Sequence, residues 1–74
     1  MKGATDMDGT NRSNIKVGML VDIVLKADQR TGKLTRGHVS RLLTNSPHHH
    51  RGIKVELAEG KGIGRVQHIP QSES

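Results

Sequence analysis

The run Val17-Gly18-Met19-Leu20-Val21-Asp22-Ile23-Val24-Leu25 decides the fold class. Val17, Met19, Val21, Ile23 and Leu25 occupy every second position, which places five apolar side chains on one face of an extended strand. Leu20 and Val24 are apolar on the opposite face, so the strand is either central and covered on both sides or bent across a barrel. Three further runs follow. Leu34 to Leu43 reads as a second strand with Gly37 as a bend or bulge; Ile53, Val55 and Leu57 alternate with Lys54 and Glu56; a short fourth run spans Ile63 to Ile69. The connections are a charged hairpin loop from Lys26 to Lys33 in which Gly32 can supply a positive φ, an irregular loop from Thr44 to Arg51 fixed by Pro47, and a short turn from Ala58 to Gly62.

Short strands joined by glycine-containing turns predict an all-β domain, a small barrel of four to five antiparallel strands over residues 14–69. The expected core is Val17, Met19, Val21, Ile23, Val39, Leu42, Ile53, Val55, Leu57, Val66 and Ile69. The polar, aperiodic stretches 1–13 and 70–74 read as disordered tails. With 74 residues, 31% apolar content and no Phe, Tyr or Trp, the chain has material for one core only, and its stability is expected at the low end of about 5–15 kcal/mol. A deep, fully enclosed active-site pocket is not expected in a chain of this size, except one shared across an oligomer interface.

The lack of Cys excludes disulfides, thiolate catalysis and Cys-ligated zinc. Neither an apolar leader nor a membrane-length apolar run is present, which gives a cytoplasmic expectation. Net charge is +5, and between Arg12 and Ile69 11 basic residues face 4 acidic ones. Such an excess attracts polyanions, and it also serves solubility.

The first candidate site is the basic hairpin, where Lys26, Arg30, Lys33 and Arg36 face the single acid Asp28 and can lie along a phosphate backbone. Arg41, Arg51, Lys54, Lys61 and Arg65 extend this patch if the barrel places them on the same side. The absence of aromatic residues excludes a base-stacking sheet of the RRM type and leaves backbone recognition of structured RNA or duplex, with Arg planes in place of rings. His48, His49 and His50 are the second candidate, but three consecutive histidines do not match the usual ligand spacings, so neither a metal nor a cofactor is expected. Gly60, Gly62 and Gly64 lack the third glycine of a dinucleotide fingerprint, since Arg65 stands there, and Gly32-Lys33 lacks the rest of a P-loop. No nucleophile or metal-hydrolase spacing supports an enzyme.

The pieces Asp28-Gln29-Arg30-Thr31-Gly32-Lys33-Leu34-Thr35-Arg36-Gly37, Thr44-Asn45-Ser46-Pro47, Gly52-Ile53-Lys54-Val55 and Gly64-Arg65-Val66 together resemble the YwbE family of small, largely uncharacterised microbial proteins. The resemblance covers roughly residues 12 to 69 and brings no established activity; the triple His departs from the mixed His and Pro expected after Pro47. More broadly, Val17-Gly18 to Val24 with Gly37-His38-Val39 is similar to the KOW motif of SH3-like barrels in ribosomal proteins and transcription elongation factors. This implies an SH3-like barrel that contacts RNA or a ribonucleoprotein through the loop, although here the loop is longer and lacks the usual glycine directly after the first strand.

The function expected is therefore non-catalytic binding of nucleic acid, RNA or a ribonucleoprotein, with Lys26, Arg30, Lys33 and Arg36 on phosphate and Arg41, Arg51 and Arg65 in support. The alternative is a protein-interaction module docking on an acidic partner through a strand edge or the 44–51 loop.

Overall fold

The structure, a computed structural model, describes residues 9–70. Four strands, β1 (Leu20–Leu25), β2 (Thr35–Leu42), β3 (Lys54–Leu57) and β4 (Gly62–His68), close into an antiparallel barrel in the order β1-β2-β3-β4. Short 3-10 turns at Arg12–Asn14, Lys26–Asp28 and Ala58–Gly60 complete it, and the described residues contain no α-helix. The all-β, SH3-like class read from the sequence is thus the fold. The barrel is closed because β1 pairs with both β2 and β4, while β3 pairs with the same two strands from the other side.

Inside lie Ile15, Val21, Ile23, Val39, Ile53, Val55, Leu57, Val66 and Ile69, with Met19, Leu25 and Leu42 packed at the margin. Val17 corrects the expected core. Gly18, at φ +94, turns the chain before β1 begins, and Val17 is left 65% exposed while Ile15 takes an inward place. Alternation alone extends the strand through Val17; the backbone ends it at Leu20.

Two bulges set which side chains face outward. Between β2 and β3 the register shifts from Val39 opposite Leu57 to Arg41 opposite Glu56. Gly37, expected as the bend, instead pairs in register with Val21, and its missing side chain makes room for Leu57. Between β1 and β4 the register shifts from Ile23 opposite Val66 to Asp22 opposite His68, so Gln67 is the extra residue. That insertion reverses the alternation: His68 emerges on the outer surface although Val66, two residues earlier, points inward, and Ile69 is then buried. At Gly64 the backbones of β1 and β4 come so close that any Cβ would overlap the Val24 carbonyl oxygen.

Residues 9–13, assigned by composition to a tail, run instead as a strap along the 44–53 loop. The Ile53 N–H donates to the Gly9 carbonyl at 2.9 Å, that of His49 to Thr10 at 2.9 Å, and that of Arg12 to Pro47 at 2.8 Å. Asn11 and His48 form an antiparallel bridge, and Arg12 Nε reaches the Thr44 carbonyl at 2.8 Å. The strap is polar and is held by backbone hydrogen bonds, which leave no hydrophobic period in the sequence. Pro70 is half-buried at the end of the described chain. The rest of the tail expectation, residues 1–8 and 71–74, lies outside the described residues.

Candidate nucleic-acid interface

The barrel sorts the seven candidate cations by partner. Arg36 stands opposite Asp22 and donates to it twice, Nε to Oδ1 at 2.8 Å and Nη2 to Oδ2 at 3.1 Å. Arg41 meets Glu56, its register partner across β2 and β3, at 3.0 Å. Both are therefore partly neutralised, and sequence spacing gave no sign of it. Lys26, Arg30 and Lys33 remain exposed on the turn between β1 and β2, which is closed by the Thr31 and Gly32 amides donating to the Asp28 carbonyl and by the expected positive φ of Gly32, 77°.

Arg51 and Arg65 come together with that turn. An open cleft of about 380 Å³ is lined by Gln29 and Gly32 of the turn, Val24 of β1, Arg51, and Arg65 and Gln67 of β4. Its cationic side is built by backbone fastening. The Arg51 N–H donates to His49 Nδ1 at 3.2 Å, the Arg51 carbonyl accepts from Gln67 Nε2 at 3.0 Å, and the Gly52 carbonyl accepts from Arg65 Nη1 at 3.1 Å. Gly52 is required there: its φ is +105 and a Cβ would overlap the Val66 carbonyl oxygen. Partial burial, then the charges of Arg65, His50, Arg51 and His48, push the His49 imidazole below its usual value, which favours the neutral ring whose Nδ1 can accept the Arg51 amide proton.

Beside the cleft, Lys54 of β3 lies directly opposite Arg65 of β4. Like charges in register repel across a strand pair. No carboxylate of the described residues pairs with Arg51, Lys54 or Arg65, nor with Lys26, Arg30 or Lys33. The arrangement is a concave cationic surface whose repulsion a bound anion would relieve. Lys61 is not part of the cleft lining; its Nζ donates to the Arg36 carbonyl of β2 at 3.5 Å.

One cluster was not anticipated. Asp22, the lone acid in the first strand, is buried on the outer wall between Arg36 and His68, whose Nδ1 lies 2.9 Å from Oδ2. The Arg36 bonds hold its carboxyl below the usual value against the opposing effect of burial, and His68 lowers it further. A single acid inside an otherwise apolar nine-residue run was the available signal. In the histidine loop His49 and His50 stack at 5.2 Å with planes 8° apart, and among the described residues no group of three His, Asp or Glu side chains converges as a metal ion would need. No helix among the described residues is long and apolar enough to cross a membrane.

Comparison with known proteins places this geometry in context. The model of a family described as "Uncharacterized conserved protein (DUF2196)" matches residues 8–69. The "Uncharacterized protein YwbE" of Bacillus subtilis (strain 168) is 59% identical over 63 residues, covering 85% of this chain and 95% of that protein. No solved structure matches.

Proposed function

The chain belongs to the uncharacterized conserved family DUF2196, and for it we propose non-catalytic binding of nucleic acid, RNA or a ribonucleoprotein in the cytoplasm, through phosphate contacts at the cationic cleft. The observation that carries the reading is the Lys54–Arg65 pair in register beside Arg51, with no carboxylate of the described residues paired with them. Phosphates supply the missing negative charge, and Arg forks match their geometry. Lys26, Arg30 and Lys33 are exposed on the same turn that contributes Gln29 and Gly32 to the cleft, which supports a backbone path from the turn to Arg51 and Arg65. Arg36 and Arg41, already engaged with Asp22 and Glu56, contribute less.

The closed barrel favours this reading over docking of an acidic protein by strand addition, because each of the four strands has two neighbours. The backbone of the 44–51 loop is in turn engaged by the strap.

The test is fluorescence anisotropy with a labelled RNA hairpin and a labelled DNA duplex across a salt series. If four phosphates are neutralised, log affinity for duplex falls against log salt with a slope of about −3.6. Arg51→Ala reduces the slope by about 1, whereas Arg41→Ala leaves it nearly unchanged. Salt-independent binding, or an Arg51→Ala variant that binds like wild type, would overturn the proposal; capture of a defined acidic protein that survives nuclease, with no RNA binding, would replace it.

A further inference from the structure

The cleft differs from a flat phosphate-binding surface in volume and in lining. A duplex backbone needs only an exposed row of cations, and the turn with Lys26, Arg30 and Lys33 provides one. Here a concavity of about 380 Å³ lies beyond that row, in the size range of small-molecule sites. Its lining has three chemically distinct parts. Arg51 and Arg65 supply positive charge; Val24, half-buried, supplies apolar surface; Gln29 and Gln67 supply amides.

The amides are informative because of what they leave open. Gln67 spends its Nε2 on the Arg51 carbonyl, leaving Oε1 as an acceptor. Gln29 also lines the cleft, and its side-chain amide makes no hydrogen bond with any described residue. Amide groups of this kind pair with the polar edge of a nucleobase, as they do in base recognition elsewhere. The guanidinium planes and Val24 offer the base flat and apolar support in a cleft whose lining has no Phe, Tyr or Trp. Phosphate alone would use neither the amides nor Val24.

We propose that the cleft seats one nucleotide, its phosphate at Arg51 and Arg65 and its base against Val24 with its edge at Gln29 and Gln67. The inference rests on the polyanion reading and sharpens it, since the same chemistry arrives either as one unstacked residue of an RNA strand or as a free nucleoside monophosphate.

Amide chemical shifts of the full chain, followed by NMR, test it with four probes: adenosine monophosphate, adenosine, inorganic phosphate and a short single-stranded RNA. Adenosine monophosphate is expected to shift the amides of Val24, Gln29, Gly32, Arg51, Arg65 and Gln67, with adenosine and phosphate each weaker by about tenfold or more. Gln29→Ala, which removes no bond within the described residues, weakens the nucleotide severalfold and leaves phosphate unchanged. Arg51→Ala, whose side chain likewise bonds to no described residue, weakens both. Tighter binding of the strand than of the monophosphate identifies the RNA source; equal binding identifies the free nucleotide. Phosphate binding as tightly as the nucleotide, or shifts confined to the turn, overturns the proposal. Should RNA bind in a salt-dependent way while adenosine monophosphate leaves the cleft unshifted, the nucleotide site fails and the polyanion surface stands. Cleft shifts with the monophosphate and no RNA binding reverse that result.

Discussion

Replacing Asp22 with Asn retains the shape of the side chain and removes its charge, and so isolates what the buried carboxylate does. The Asp22 side chain is 7% exposed and accepts two hydrogen bonds from Arg36 and one from His68 Nδ1. Charge-assisted bonds contribute about 1.5–3 kcal/mol each, and three at full value would rival the whole stability of a domain this small, roughly 4–11 kcal/mol. The full value does not apply. The Arg36 side chain is 56% exposed, and that of His68 36%, so water resolvates both when the carboxylate is gone. What remains is the mismatch inside the wall, where an amide NH2 faces donors in place of an acceptor oxygen, at about 1–3 kcal/mol for a buried group left without a partner. We expect a loss of about 2 kcal/mol, which in a domain of this size lowers Tm by about 10 °C. Far-ultraviolet circular dichroism is the assay, because the chain has no Trp or Tyr to report. The pH dependence has a defined sign. The folded carboxyl titrates below its ordinary 3.8, so the wild-type advantage over Asn is complete above that value and disappears as pH falls through the folded pKa. An Asn variant as stable as wild type at neutral pH, or a difference undiminished well below pH 3.8, would refute the assignment.

Gly52→Ala forces a side chain onto a left-handed backbone and against the Val66 carbonyl; it should cost about 2–4 kcal/mol in urea unfolding, and an unchanged midpoint would contradict the strap-and-loop geometry. Ile15→Ala is expected to cost about 2–4 kcal/mol by the same measurement, while Val17→Ala changes stability by less than about 0.5 kcal/mol because Val17 is exposed. Truncating Arg41 removes a pair whose side chains are 67% and 38% exposed; a double-mutant cycle with Glu56→Ala should return a coupling below about 1 kcal/mol.

The strands were legible because β1, β2 and β3 alternate, and alternation is what a half-buried strand requires. Errors arose where backbone geometry interrupts the period. Gly18 ends the run that alternation carries through Val17, and the extra residue at Gln67 explains the odd three-residue spacing between Val66 and Ile69. Within the site, the basic character of the first turn and the candidacy of Arg51 and Arg65 followed from charge alone. The partners of Arg36 and Arg41 lie 14 and 15 residues away in sequence, and no local spacing reveals which cations a distant carboxylate neutralises. Gln29 and Gln67, uncharged and unremarkable along the chain, come to line one cleft only because the turn and β4 meet.

The pairing of the first strand with the last also governs how the molecule must be born. Asp22 and His68 are 46 residues apart, so a ribosome has to release most of the barrel sequence before β1 acquires its second neighbour. Until then β1 and β3 each carry a bare row of amides and carbonyls, the template on which chains aggregate. Such distant pairing also slows folding relative to hairpin-only topologies. A chain cut short before β4 would keep the hairpins of β1 with β2 and β2 with β3 but leave both outer edges open, and the positive charges of its turns would be its main protection against self-association.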